Sequence, residues 1–230
     1  MRQAAIVIGS GLLLLGGCVT PNGERNEPSQ TVRGATPEPD HLAIAASCLD
    51  RGDESAALPH LTAHVQARPD AVMIRAYLAE LLLKMDKVDE SRLHFERYVR
   101  DADGTTGQSQ KHLVHCHTRL MEIAQQKDDS FGESLHRGIG LVLMVRQWDA
   151  SVEPVDRKMT EKTLSNAAAA LRAAVQRRPT DPRGFAYLSE VYSHLGQQSA
   201  ARAAARRGAA LLPDAKLTEN ETVRLIQATD

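Results

Sequence analysis

Aromatic residues are scarce in this chain: one Trp, four Tyr and three Phe among 230 residues, or 3%. β-branched residues are sparse beyond the N-terminus and Ala is abundant, which disfavours an all-β sandwich or barrel. Charge of one sign is also lacking, since the formal net charge is -1. Residues 1–156 carry 16 Lys+Arg against 22 Asp+Glu, and residues 157–230 carry 12 against 7. Neither excess has the clustered cations and stacking aromatics of a nucleic-acid binder. A Gly-rich phosphate loop, a Gly-x-Ser-x-Gly elbow and a carboxylate pair placed for acid-base work are all missing. No residue speaks for an enzyme, and no cofactor is expected. The 42% of hydrophobic residues is enough to bury a real core.

No apolar run is long enough to cross a bilayer. The longest, Ala4 to Gly16, has thirteen residues where a helix needs about 20. Behind the short cationic start Met1-Arg2-Gln3, it reads as the core of a secretory signal. It ends in Leu15-Gly16-Gly17-Cys18, which resembles the bacterial lipobox. The resemblance implies that residues 1–17 are removed and that the Cys18 sulfur takes diacylglycerol. Val19, not Asp, follows the cysteine. In lipoproteins of Gram-negative bacteria this resembles the pattern sorted to the outer membrane, facing the periplasm. Acyl chains contribute about 0.8 kcal/mol per buried methylene, so the anchor would be stable. Residues 18–40 then hold Pro21, Pro28, Pro37 and Pro39 among polar residues. Such a stretch cannot offset its ordering entropy by burial, and a flexible linker is expected.

From His41 to Asp230 the chain reads as helices joined by short polar breaks, with an irregular stretch over residues 104–160. Ala67-Arg68-Pro69-Asp70, Arg177-Arg178-Pro179-Thr180 and Leu211-Leu212-Pro213-Asp214 each close a helix. Pro179 and Pro213 lie 34 residues apart, the period of a helix-turn-helix repeat. In the last unit Phe185, Leu188, Ser189, Tyr192, Gly196, Ala201 and Gly208 match the tetratricopeptide pattern, and Ala205 departs from it. The first unit offers Ile44, Ala45, Cys48, Gly52, Ala57 and Leu61, with His64 where a small residue is usual. The next has Leu78, Ala79, Leu82, Ser91, Phe95 and Tyr98, with Asp103 in place of the proline. The chain thus resembles tetratricopeptide-repeat bacterial lipoproteins. The fold class implied is all-α, a helix-turn-helix solenoid of about four to five helix pairs.

The centre fits less well, because Pro69 and Pro179 are separated by three periods and eight residues. Residues 112–126 and 131–147 read as two long helices. Trp148 to Asp156 reads as a break, and Thr160 to Arg178 as a second helix whose first helix is missing. The stretch from His112 to Leu143 also resembles one in repeat lipoproteins of planctomycetes. Thr218-x-x-Glu221 forms a capping box before Val223, Leu225 and Ile226 and predicts a closing helix.

The resemblance implies an adaptor or scaffold that binds envelope proteins, with a peptide or partner helix in a concave groove. In that register the groove would present Met73, Ala76, Glu80, Leu83 and Lys84, and further on Arg183, Ala186, Glu190, Ser193 and His194. Arg202, Arg206 and Arg207 would lie on the back face, where long cations usually serve solubility. A different reading is a metal-binding or sensory domain. His112, His115 and Cys116 share a helical face, and His136 on the next helix could join them. The signatures of a zinc protease and of a covalent haem are absent. Cys48 and Cys116 could pair in an exported compartment, but their packing positions favour two buried thiols.

Overall fold

The computed structural model describes residues 39–103, 108–151, 155–212 and 217–227. The chain divides into two units, Met1–Glu38 and Pro39–Asp230. The signal segment, Cys18, most of the linker and Pro213 lie outside the described residues. No described helix is long and apolar enough to cross a membrane.

The described residues form ten helices: α1 (His41–Asp50), α2 (Glu54–Ala67), α3 (Val72–Lys84), α4 (Val88–Asp101), α5 (Gln108–Gln126), α6 (Ser130–Asp149), α7 (Arg157–Arg177), α8 (Pro182–His194), α9 (Gln198–Ala209) and α10 (Glu219–Gln227). One turn recurs four times. At each copy a residue with positive φ (Gly52, Asp86, Asp128 or Gly196) ends one helix. The next residue donates its N–H to a carbonyl five positions back, as in Asp53 to Cys48 and Gln197 to Tyr192. Lys87 to Leu82 and Asp129 to Ala124 are the same bond. This closes the orphan carbonyls of the first helix and reverses the chain. The result is four hairpins: α1/α2, α3/α4, α5/α6 and α8/α9.

The first two turns are 34 residues apart, Gly52 to Asp86, and the last two are twice that, Asp128 to Gly196. All eight extra residues therefore fall between Asp86 and Asp128. Two of the turns rest on glycine for conformation alone. At Gly52 and Gly196 an added Cβ meets no heavy atom within 4 Å, yet φ is +75° and +71°. Gly196→Ala is accordingly expected to lower stability by about 1 kcal/mol through backbone strain. Urea titration of the variant measures it.

The middle corrects the sequence reading. Trp148 does not break the chain. It is half-buried against the main core, and α6 runs on to Asp149. Helix α7 starts at Arg157, capped by the Asp156 carboxylate on the Lys158 N–H. Its missing first helix is α6, which packs extensively on both α5 and α7. Close approach explains this double role. Gly138 lies under Leu171 of α7, and Gly140 faces the Cβ of His117 on α5. Smallness at these two places lets one helix serve two neighbours.

Two apolar clusters hold the domain. Leu61, Val65, Leu78 and Leu82 belong to the first, built by α1–α3. The second runs on from α3 through α9 and contains Phe95, Tyr98, Leu120, Leu135 and Leu171. Helix α3 feeds both, with Leu78, Leu81 and Leu82 on one side and Ala76 and Ala79 on the other. Helix α10 closes the far end. Thr218 Oγ1 accepts from the Glu221 N–H at 3.1 Å, and Glu221 accepts from the Thr218 N–H at 2.9 Å, the capping box read from sequence. Leu225 is fully buried beside Gly208, whose missing side chain it replaces.

Candidate functional site

The larger recess has a volume of about 460 Å³ and brings together α4, α5, α6, α8 and the start of α10. Its wall is polar. His117 and His136 face each other across α5 and α6, Nδ1 to Nδ1, at 3.0 Å. One imidazole must donate and the other accept, so the pair is neutral. Burial holds the His117 pKa down to about 3, and that of His136 well below the usual value. Opposite them Asp181 caps α8, accepting from the Arg183 N–H and from its guanidinium at 3.0 and 2.6 Å. Burial works to raise the Asp181 pKa, but the hydrogen bonds and charge of Arg183 outweigh it and the pKa is lowered. Thr218 Oγ1 also donates to Asp103 at 2.5 Å, tying the closing helix to the end of α4.

The smaller recess, about 420 Å³, lies between α2, α3 and α5. Glu80 is its hub, bonded to His115 Nε2 at 2.6 Å and to Arg119 Nε at 3.0 Å. These partners keep its pKa low although burial opposes them. Lys84 bridges to Glu54 at 2.6 Å. Tyr77 lines the same recess, and its hydroxyl pKa is raised by burial and then by Glu54.

The ten residues read as groove-facing are not brought to one surface. Glu80, Leu83 and Lys84 line the smaller recess and Arg183 the larger. Met73, Ser193 and His194 are exposed. Glu190 is occupied by Arg146, which meets both of its oxygens. Ala76 and Ala186 depart from the expectation. Both are buried, because small residues there are what allow neighbouring helices to approach.

The proposed metal set does not assemble either. His115 turns to Glu80, and His136 turns to His117. His112 is half-buried, and Cys116 is fully buried with its thiol pKa raised by burial, then by Glu80, to about 12. A thiol so held is not a thiolate at neutral pH. Among the described residues no three His, Cys, Asp or Glu side chains converge to hold a metal ion. Cys48 and Cys116 are free buried thiols in separate clusters. Sequence reasoning passed over the pairing of His117 with His136. Each is polar on an otherwise apolar stretch, but only the packing of α5 on α6 shows that they meet.

Four copies of one turn and two 34-residue intervals decide the architecture. The fold is tetratricopeptide-like. No known family profile matches the chain. It is 25% identical over 156 residues to human DnaJ homolog subfamily C member 3, across 64% of this chain and 31% of that protein. The chain thus spans about a third of the length of the curated relative it matches. Among solved structures, a thermophilic TPR protein of Thermus thermophilus overlaps at TM-score 0.40 and 18% identity, covering 82% of this chain and 79% of its own. The TPR2AB domain of yeast Sti1 in complex with pHSP90 overlaps at TM-score 0.36 and 12% identity, covering 82% and 80%. YrrB, a TPR protein with an unusual peptide-binding site, does so at 0.37 and 12%, covering 81% and 90%. Overlaps of this size leave the assignment resting on the tetratricopeptide-like domain's own turns and hairpins.

Proposed function

We propose that this chain is a lipid-anchored adaptor of the cell envelope, attached through Cys18 and without a catalytic step of its own. Its helical domain holds a segment of a partner protein, a peptide or a single helix, in the recess walled by α4, α5, α6 and α8. The supporting observation is the recess itself. It collects side chains from four separate elements, among them Asp103, His117, His136 and Arg183, and it lies open at the surface. Polar groups fixed by Asp181 and by the α10 capping box offer hydrogen bonds at settled positions, which is what orients a bound main chain. The lipobox-like sequence supports an outer-membrane location facing the periplasm.

A photo-crosslinking residue at Thr180, on the wall of the recess, tests the reading in the lipidated protein. The expected result is one discrete envelope partner crosslinked from Thr180 and not from exposed Leu93. Reversing the charge of Arg183 is expected to lower the yield at least tenfold. Equal labelling from both positions would sink the adaptor reading. A Cys18→Ser form that still fractionates with membranes would separately sink the anchor.

A further inference from the structure

The ion pairs of this domain are unevenly spread. Seven cations between Lys84 and Arg137 have a carboxylate partner, among them Lys87 with Glu90, Lys127 with Asp89 and Arg137 with Glu133. From Lys162 to Leu212 the pattern reverses. The acids there are Asp181 and Glu190, and both are taken up, by Arg183 and Arg146. Seven exposed cations are left over: Lys162, Arg172, Arg177 and Arg178 on and just beyond α7, and Arg202, Arg206 and Arg207 on α9. Among the described residues none of the seven is in an ion pair. Arg177 donates to the Ser130 and Ser134 hydroxyls, and Arg178 and Arg207 rest over Phe131 and Phe185. Those contacts leave the charge uncompensated.

Helices α7 and α9 both pack on α8, whose residues from Gly184 to Ser189 are buried. The cations are thus the solvent side of a packed layer. Helix α9 holds three arginines and no acid, with Arg202 and Arg206 one turn apart. Its buried residues are three alanines and a glycine, and it presents no large apolar side chain.

We propose that this face, α9 continued by α7, lies against anionic lipid headgroups. A folded protein partner needs pockets and buried anchors. Neither is present, since six of the seven cations line no recess and only Arg178 reaches the rim of one. Lipid phosphates diffuse laterally, so they gather under charges whose spacing no pocket fixes. The attraction is additive and short-ranged: each cation near an anionic leaflet contributes roughly a fivefold gain in partitioning, and it fades within a Debye length. The inference is independent of the recess and of any acyl chain.

The full chain carrying Cys18→Ser, mixed with phosphatidylcholine vesicles with or without 30% phosphatidylglycerol, provides the test. At about 0.1 M salt the expected preference for anionic vesicles is on the order of a hundredfold, and it collapses at about 0.5 M. Arg202→Glu with Arg206→Glu should remove at least tenfold of it. The neutral pair Arg202→Gln and Arg206→Gln should remove several-fold, with an unchanged melting temperature showing an intact fold. Lys127→Glu with Arg137→Glu makes the same change in net charge on the paired side and should alter binding less than threefold. Equal binding to both vesicle types overturns the proposal. So does an equal loss in the Lys127/Arg137 variant. Tighter binding to polyglutamate or duplex DNA than to vesicles at matched charge also overturns it and reassigns the face.

Discussion

Gly138→Val is expected to destabilise the domain by about 3 kcal/mol or more, and Leu171→Ala by about 2–5 kcal/mol, while the double variant costs clearly less than their sum. The argument is one of volume. A Cβ at Gly138 would lie 2.5 Å from Leu171 Cγ and 3.3 Å from the Leu171 backbone nitrogen. Leu171 is fully buried in the main cluster and has no room to withdraw. Valine adds three carbons there, and Leu171→Ala removes three on the facing helix. Each single change therefore breaks the packing of α6 on α7, one by crowding and one by leaving a cavity. Together they restore the carbon count. Urea denaturation of all four members of the cycle yields the coupling, expected at about 1–3 kcal/mol. Simple additivity would show that the two helices do not meet as described. The effect is largest here because α6 is shared, so a shift of α6 toward α5 to relieve valine would disturb the His117 contact at Gly140 as well.

The extent to which sequence anticipated this structure follows from the range of the interactions involved. The 34-residue spacing, the glycine turns at Gly52 and Gly196 and the Thr218/Glu221 box are local signals, complete within a few residues, and the structure contains each. The equivalent turns at Asp86 and Asp128 carry no such signal. Aspartate enters the left-handed region only with support, and here the same backbone hydrogen bonds that close the glycine turns supply it. The extension of α6 through Trp148 depends on a core assembled from other helices, and so does its service to two partners. Propensity at one place cannot report that. The site is less legible than the fold for the same reason. His115 and Cys116 look like ligands when read along one helix, yet Glu80, 35 residues away, takes the first and the core takes the second. Asp181-Pro182 is a good helix start in sequence, but that its carboxylate would fix Arg183 in a recess depends on where α8 packs.

Stability is expected to fall as pH drops from about 6.5 toward 5, well before most carboxylates titrate, and His117→Gln with His136→Gln is expected to flatten that fall. The sign follows from burial. In the unfolded chain a histidine binds its proton below about 6.5. In the folded domain His117 resists protonation down to about 3, because desolvation outweighs the attraction of Asp103. The unfolded state thus holds the extra proton throughout the interval, and stability rises with pH there. The contribution is complete above about 6.5 and lost as pH falls toward about 3. One proton over two pH units amounts to about 2–3 kcal/mol. His136 acts in the same direction, with burial joined by the charge of His117 and Arg183. Protonating either imidazole also removes the acceptor of their 3.0 Å hydrogen bond, placing two donors face to face. Other groups share part of the slope. His94 is lowered by burial and by Arg75, and it remains in the double variant. Asp181 and Glu80, held low by Arg183 and by His115 with Arg119, lose their contribution only as pH falls through the carboxylate range. The window between about 6.5 and 5 therefore belongs to the histidines. Melting temperatures of wild type and variant across pH 5–8 measure the difference, and parallel curves would refute the neutral buried pair. Because His117 and His136 wall the larger recess, acid that weakens the fold should loosen this wall first. Amide exchange in the facing stretches of α5 and α6 is then expected to rise at about pH 5.5 ahead of exchange in α2 and α3.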